Sequence, residues 1–260
     1  MFDRIMKNRR RKRAAAAPFP PEWIRILHRN VPYYKLLDEG EKARLQQHVK
    51  IFLGEKRFEG CGGFEITDET RVTIAALACI LILGRKADYF PGMKSILVYP
   101  ESFEVRDRYE MDDGTVVEES EDFMGESWAL GPVVLAWDEV LESVADPEDG
   151  YNVVFHEFAH QLDGESGEEN GAPPLDDRSR YGEWNRVMKR EFARLRNDVD
   201  KRRPHLLDDY GDENPAEFFA VVTEAFFEMP RALRRRHPEL YEQMRVCYGQ
   251  DPAARFCAED

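Results

Sequence analysis

Apolar residues recur at helical spacing along much of the chain. Between Trp23 and Leu53 this spacing is interrupted by Pro32 and Gly40, which predicts two short helices. Val72 to Leu83 is a nearly unbroken apolar run of twelve residues. Because about 20 residues are needed to cross a bilayer, this run predicts a buried helix. Thr67 to Glu69 supplies a capping residue and acids for its first turn.

Three further helices are predicted in the second half of the chain. Val153 to Asp163 has apolar residues beside two histidines, and Tyr181 to Arg202 has apolar residues on one side and charges on the other. In the third helix, Asn214 is suited to the N-cap and Pro215 to the first turn. Gly164 to Asp177 is rich in glycine, proline and acids, so it predicts a surface loop.

The hydrophobic period changes after Lys94, where short runs of β-branched and aromatic residues predict a small sheet. The predicted strands are Ser95 to Tyr99, Glu104 to Met111, Thr115 to Glu119 and Val133 to Trp137. Asp112-Asp113-Gly114 is a hairpin signal between the middle two strands. The glycine-rich stretch Phe58 to Phe64 predicts only a turn, because no strand precedes it and the residues of a phosphate-binding loop are missing.

Composition and charge suggest how the chain is divided. A length of 260 residues, with 42% hydrophobic residues, is enough for a sizeable core. The net charge is −14, yet the first thirteen residues contain seven Lys or Arg and only one acid. We expect residues 1–17 to form a basic flexible tail, residues 18–93 a helical portion packed on the catalytic domain, and residues 94–260 that catalytic domain. With no aromatic residues interleaved, the basic run does not favour a nucleic-acid partner.

The cysteines and apolar segments indicate the compartment. Cys61, Cys79, Cys247 and Cys257 have no CxxC spacing, and Cys79 lies within the predicted buried helix. Ala14 to Ala17 is too short for the apolar region of a secretory signal. We therefore expect a cytoplasmic protein with no membrane partner.

The stretch VVFHEFAHQLD, from Val153 to Asp163, places His156, Glu157 and His160 in the order HExxH. Residues four apart lie on the same face of a helix, so both imidazoles can reach one metal ion. This geometry suits zinc, and the glutamate beside the first histidine can hold and deprotonate a water molecule. The alternative is a pair of core histidines whose ring nitrogens are hydrogen-bonded.

A catalytic zinc ion requires a third protein ligand. Glu217 and Glu224 interrupt the apolar face of the helix that follows Asn214, and they are seven residues apart, hence on the same side of that helix. We assign Glu217 as the ligand and Glu224 as the group that holds an imidazole NH, although the two roles are exchangeable. The alternative for either glutamate is a capping role near the helix dipole or a position facing solvent.

The segments HEFAHQLD and NPAEFFAVVTEAFF closely resemble the Mlc titration factor A family of bacterial zinc peptidases. The resemblance covers most of the chain, including Phe64 to Leu83 and Gly125 to Trp137. Together with the order of a sheet followed by the metal-binding helix, it indicates an α+β, zincin-like metallopeptidase domain with a small sheet and an added N-terminal helical portion. It also implies aminopeptidase activity, although no residue visibly binds a free amino terminus.

Within that family two histidines and the Glu of a PAE tripeptide bind zinc, which implies one Zn²⁺ per chain held by His156, His160 and Glu217. The family resemblance also makes Glu157 the general base. The site is similar, in addition, to the catalytic domain of anthrax lethal factor, where a tyrosine precedes the ligand glutamate by seven residues. That position is Tyr210 in this sequence.

We therefore expect zinc-assisted hydrolysis of a peptide bond in a peptide or small protein. Glu157 would take a proton from the attacking water, and Tyr210 would donate a hydrogen bond to the oxyanion. Asp163, three residues after His160, would orient an imidazole. Gly125 to Trp137 is the candidate edge strand for an extended substrate. The alternative for Tyr210 is a purely structural tyrosine near a helix start. The alternative for Gly125 to Trp137 is a plain core strand.

Two other classes of function remain open. The resembling family is named for sequestering a transcriptional repressor that controls glucose uptake, so partner binding is one alternative, with proteolysis secondary. The other is a structural protein in which the HExxH helix is only part of the core.

Overall fold

The computed structural model describes residues 2–86, 88–101, 109–110, 116–117 and 131–255. Most of this part of the chain is helical. The helices are α1 (Phe2–Ala16), α2 (Pro21–Asn30), α3 (Pro32–Lys35), α4 (Glu39–Glu55), α5 (Asp68–Leu81), α6 (Trp137–Ala145), α7 (Val153–Asp163), α8 (Tyr181–Asp200), α9 (Pro215–Glu228), α10 (Pro230–Arg236), α11 (Pro238–Tyr248) and α12 (Pro252–Arg255). The strands are β1 (Arg57–Gly60), β2 (Ser95–Tyr99), β3 (Tyr109–Glu110), β4 (Val116–Val117) and β5 (Val133–Ala136).

Strands β1, β2 and β5 form a three-stranded parallel sheet with β2 in the centre. Ile96 pairs with Phe58 on one side and with Val133 on the other. Ile96 and Val98 are fully buried while their neighbours in β2 are partly exposed, which is the period of a strand with one face on the core. With its many helices and this small sheet, the chain has the α+β class expected from the sequence.

The glycine-rich stretch contains a strand that the sequence pattern did not predict. The expectation of a turn alone over Phe58 to Phe64 is wrong at its start, because Arg57–Gly60 forms β1. This strand is mostly exposed and has no apolar alternation, so its pairing with β2 rather than its own pattern stabilises it. The predicted turn follows at Gly62 and Gly63, whose φ angles of 58° and 78° favour glycine.

The hairpin signal lies between β3 and β4, which pair in the antiparallel sense. The remaining residues of the predicted strands Glu104 to Met111 and Thr115 to Glu119 lie outside the described residues, as do residues 125–130 of the candidate substrate strand. The described end of that segment is β5, an edge of the parallel sheet, where Val134 is 44% exposed.

The N-terminal helical portion contains more helices than the two expected between Trp23 and Leu53. Gly40 does not interrupt the pattern, because Asp38 and Glu41 form a capping box that begins α4 in front of the glycine. Helix α5 is capped by the Thr67 side chain and packs against α2, α4 and α7. None of the helices in the described part of the chain combines the length and apolarity needed to cross a membrane.

Helices α7 and α9 pack against each other in the core and carry the predicted site residues. Phe155 of α7 contacts Phe227 of α9, with ring centroids 5.2 Å apart. One turn further along α7, the ring of Phe158 packs on that of Phe90, with centroids 4.8 Å apart. One buried hydrophobic cluster joins the N-terminal helices to these two helices, so the site lies on a rigid support.

The basic N-terminal segment is a docked helix instead of the flexible tail expected over residues 1–17. Arg11 in α1 donates two hydrogen bonds to Glu55 of α4, at 2.6 and 2.7 Å, and pairs with Asp88. The end of α1 is held by the ammonium of Lys50, which donates to the carbonyl of Ala15 at 2.6 Å. The basic charge of this segment suggested a solvated tail. In the structure, Glu55 and Asp88, which are distant in sequence, pair with Arg11 and hold the helix in place.

Replacing Arg11 by Gln should loosen this helix. Losing the partly buried bidentate pair costs about 1–2 kcal/mol, so amides of residues 5–16 should exchange with solvent roughly tenfold faster. Hydrogen exchange followed by mass spectrometry measures this, with the exposed Lys12→Gln as the matched control. Equal exchange in the two variants would contradict the docking by Arg11.

Candidate metal centre

Helix α7 presents the HExxH residues on its less buried side. It begins after Asn152, whose side-chain oxygen accepts the backbone NH of Phe155 at 3.1 Å. Its buried side faces the core, while the side chains of His156 and His160 remain 13% and 15% exposed. The predicted helix Val153–Asp163 is confirmed with these bounds.

Helix α9 supplies the two carboxylates. Asn214 is its N-cap, as predicted, and its side-chain oxygen accepts the backbone NH groups of Ala216 at 2.9 Å and Glu217 at 3.0 Å. Pro215 is the first helical residue. This cap fixes Glu217 in the first turn, at the end of α9 that faces the two histidines. Glu224 lies two turns further along and is buried.

Three donor atoms from the two helices converge at one point. Nε2 of His156 lies 2.9 Å from Oε2 of Glu217, and Nε2 of His160 lies 3.3 Å from the same oxygen. The two Nε2 atoms are 3.2 Å apart. Among the described residues, this is the group of His, Cys, Asp or Glu side chains whose ligand atoms are close enough to hold a metal ion.

The hydrogen bonds around the histidines fit a metal ion. Nδ1 of His156 lies 2.7 Å from Oε1 of Glu224, the contact expected for a group that holds an imidazole NH. With the proton on Nδ1, the lone pair of Nε2 faces the convergence point. Nδ1 of His160 is buried and has no hydrogen-bond partner in the described part of the chain. Two imidazoles and a carboxylate are a donor set of catalytic zinc sites and suit other divalent transition metals.

Electrostatics at the centre favour a positive charge. Burial lowers the pKa of His156, but its contacts with Glu217 and Glu224 outweigh burial and raise the pKa to about 10. Burial opposes ionisation of Glu217 as well, yet its hydrogen bonds to the two histidines bring its pKa to about 2. A metal cation would take the place of the proton between these groups, so its binding releases a proton and strengthens as pH rises.

Glu157 lies beside the donor atoms in a cleft of about 240 Å³. His156, Tyr151, Tyr210 and Asp208 also line this cleft. Burial raises the pKa of Glu157, and the two neighbouring histidines partly oppose that effect. A carboxylate with raised proton affinity beside an open cleft can accept a proton from a bound water.

Tyr210 lies at the same cleft, in the short 3-10 turn Asp209–Asp212 before α9. Its ring centroid is 5.8 Å from that of His156, and the residue is 48% exposed. Burial and the nearby charge of Glu217 raise the pKa of the phenol, which keeps its proton available for donation at neutral pH. The structure therefore brings Tyr210 to the predicted neighbourhood.

Asp163 has different partners from those expected. Its carboxylate accepts the backbone NH of Gly171 at 2.6 Å and of Ala172 at 2.7 Å. No hydrogen bond to either histidine is found for it among the described residues. Instead of orienting an imidazole, Asp163 ties the loop after α7 to the end of that helix.

Sequence reasoning missed Asn152 and Glu228, which extend the contacts of Glu224. The backbone NH of Asn152 donates to Oε2 of Glu224 at 2.6 Å, and its side chain donates to Oε1 of Glu228 at 2.9 Å. Asn152 is an N-cap residue type in front of Val153, and Glu228 follows Glu224 by four residues. These two local signals could have indicated the pair.

Comparison with known proteins agrees with this geometry. The sequence model of the glucose-regulated metallo-peptidase family M90 matches residues 6–249. This chain belongs to the M90 metallopeptidase family. It is 41% identical to the uncharacterized protein slr2042 of Synechocystis over 94% of this chain and 89% of that protein. It is 31% identical to Mlc titration factor A of Cronobacter sakazakii over 94% of this chain and 90% of the relative, and 32% identical to Mlc titration factor A of Klebsiella pneumoniae over 86% and 85%.

The family resemblance inferred from HEFAHQLD and NPAEFFAVVTEAFF is thus confirmed over most of the chain. Membership of M90 makes the protein a metallopeptidase. The donor group of His156, His160 and Glu217 is the place in the described structure where the metal ion of such an enzyme can bind.

Glu228 of this M90 protein should make stability depend on pH. Burial raises its pKa from 4.5 to about 9. Between these two values the folded protein keeps a proton that the unfolded chain releases, so stability falls as pH rises through this window. Glu228→Gln cannot ionise and can still accept from Asn152. Its stability relative to wild type should therefore increase between pH 5 and pH 8, by an amount on the order of a few kcal/mol.

Urea unfolding at the two pH values measures this difference. Glu213→Gln, at an exposed position in front of α9, is the matched control and should show no comparable change with pH. A constant difference between Glu228→Gln and wild type would show that Glu228 is ionised in the folded protein.

Proposed function

We propose that this protein is a zinc-dependent metallopeptidase that hydrolyses peptide bonds and acts as an aminopeptidase. The observation that carries the proposal is the convergence of His156, His160 and Glu217 donor atoms next to Glu157. Two nitrogen donors and one oxygen donor leave a fourth position open, and Glu157 lies at an open cleft. This arrangement favours a catalytic site with one zinc ion per chain over a closed structural zinc site.

A zinc ion held by these three side chains would supply Lewis acidity, which polarises a carbonyl group and lowers the pKa of water from ~15.7 toward ~7. Glu157 takes the proton from the attacking water at its carboxylate and later passes it to the leaving amine. Its raised pKa supports both transfers, because the protonated form is not far in free energy from the carboxylate.

Tyr210 and Glu224 have supporting roles in this proposal. The phenol of Tyr210 donates a hydrogen bond to the oxyanion that forms at the scissile carbonyl, a contribution of about 3 kcal/mol when well placed. Glu224 holds the Nδ1 proton of His156 and so keeps Nε2 free for the metal. Asp163 acts indirectly, through the loop that it fastens to α7.

The substrate is a peptide or small protein with a free amino terminus. Carboxylates at the cleft, among them Asp208 and Glu157, give it an acidic character that suits an ammonium group. Strand β5, an edge of the parallel sheet, is our candidate for pairing with the substrate backbone. A cytoplasmic location is supported by the free thiols of Cys61, Cys79 and Cys247.

Replacing Glu217 by Ala tests the metal site. The variant should lose bound zinc and at least about 99% of turnover, because one of three ligands is removed. Metal content by mass spectrometry and hydrolysis of amino-acid anilides measure the two effects. Glu213→Ala, an exposed carboxylate on the approach to α9, should keep both. A full zinc complement in Glu217→Ala would move the third ligand elsewhere, with Glu224 the next candidate.

Replacing Glu157 by Gln separates chemistry from metal binding. We expect this variant to retain stoichiometric zinc and to lose turnover by roughly 10³-fold, because the amide cannot accept the proton. Normal turnover in a zinc-loaded preparation would exclude Glu157 as the base.

The substrate class is decided by assaying the wild-type protein with paired substrates, one with a free and one with an acetylated amino terminus. Faster cleavage of the acetylated peptide would identify an endopeptidase.

A regulatory binding protein is the second candidate function. It is favoured by the name Mlc titration factor A, which several relatives carry, and it would mean that this chain sequesters a transcriptional repressor of the Mlc type. Glu157→Gln discriminates between the two candidates. Full repressor binding and full biological effect in this variant would make binding the principal role, whereas loss of the effect would favour the enzyme.

A further inference from the structure

A second cleft, larger than the one at the metal centre, lies between α1, α4 and the segment before β2. Its volume is about 870 Å³, within the range of small-molecule sites. None of the proposed catalytic or ligand residues lines it. Its lining carries five cations and two acids, which are Lys7, Arg10, Arg11, Lys56, Lys94, Glu55 and Asp88. The cleft therefore has an excess of positive charge in a chain whose net charge is −14.

The two acids of the cleft are already engaged with two of its cations. Glu55 accepts both hydrogen bonds of the Arg11 fork, and Asp88 pairs with Arg11 and, at 3.2 Å, with Lys7. These four side chains neutralise one another and shape the wall. Two further cations of the lining are Lys56, which is nearly buried, and Arg10, which is exposed.

Lys56 is unusual because it lines the cleft although the residue is only 9% exposed. It donates to the backbone carbonyls of Phe90 at 2.7 Å and Met93 at 2.5 Å. An ammonium has three N–H donors, and the described residues supply these two acceptors, which leaves one donor for a ligand. Burial destabilises the charged ammonium of Lys56 and lowers its pKa to about 8. A bound anion would stabilise the charged form and offset this effect.

The backbone at Tyr89, a lining residue of the cleft, and at the adjacent Phe90 is held in a strained conformation. Tyr89 and Phe90 both have φ angles of 52°, in the left-handed region that non-glycine residues rarely adopt. The phenol of Tyr89 lies 2.6 Å from Nδ1 of His48, and the ring of Phe90 is fully buried. Such strain persists only where the surrounding packing imposes it, so the wall is preformed.

We propose that this cleft binds a small polyvalent anion of the phosphate class, with Lys56 as the inner contact and Arg10 as the contact at the mouth. The two acids of the cleft are already paired with cations, so the groups available to recognise a ligand are the ammonium of Lys56 and the guanidinium of Arg10. Such groups bind phosphate oxygens through charge-assisted hydrogen bonds. The nearly complete burial of Lys56 requires a ligand that enters the cleft. A lipid surface or a nucleic-acid backbone would instead contact the exposed cations on the outer side of α1.

Titration of the zinc-loaded protein with inorganic phosphate, followed by calorimetry and by thermal unfolding, tests the proposal. Sodium chloride at equal ionic strength corrects for screening. We expect saturable binding that weakens about tenfold in Lys56→Met and several-fold in Arg10→Gln, because each variant loses a charge-assisted contact. Arg10 is exposed, so Arg10→Gln carries the test should Lys56→Met fail to fold.

Two controls locate the bound phosphate. Arg9→Gln, exposed and adjacent to Arg10 but not in the cleft lining, should bind as the wild type does. Glu217→Ala should also bind normally, because Glu217 does not line the cleft. The proposal is overturned by the absence of binding beyond the chloride control, by equal weakening in Arg9→Gln and Arg10→Gln, or by loss of binding in Glu217→Ala.

Discussion

His156 lies between two carboxylates of one helix, and much of the structure follows from this contact. Glu217 and Glu224 are two turns apart on α9, roughly 10 Å along its axis, and they reach opposite nitrogens of the same ring. The ring therefore fixes both the rotation and the axial position of α7 relative to α9. Because His160 is one turn further along α7, the same registration brings its Nε2 to Glu217. A shift of one residue in either helix would separate the three donor atoms.

Burying these charges is unfavourable unless each has partners, and the fold supplies them in a connected set. Glu224 receives the backbone NH of Asn152 as well as the His156 ring, and Asn152 also contacts Glu228. Asn152 is in addition the N-cap of α7. One residue thus joins the start of the HExxH helix to the far half of α9, so the polar set and the helix packing support each other.

The sequence was informative where the signal was local. HExxH in an apolar helix predicted the bounds of α7, and Asn214-Pro215 predicted the start of α9, because capping and helix periodicity depend on neighbouring residues. Features that depend on distant residues were missed. Strand β1 needs β2 beside it, and Asp163 found backbone NH groups of a loop whose path the sequence does not reveal. The docking of α1 likewise depends on acids 44 and 77 residues away in the chain.

The basic cleft and the metal helix are connected through the core. The carbonyl of Phe90 accepts from Lys56 in the cleft, while its ring packs on Phe158 of α7 at 4.8 Å. Phe52 contacts both rings, at 6.1 and 5.8 Å, and completes a buried aromatic group. Protein interiors are close-packed and yield little to local displacement. A displacement of the Phe90 backbone would therefore press on the helix that carries His156 and His160. The N-terminal portion is thus part of the support of the metal centre, because α4, the wall of the cleft and α7 meet in these three rings.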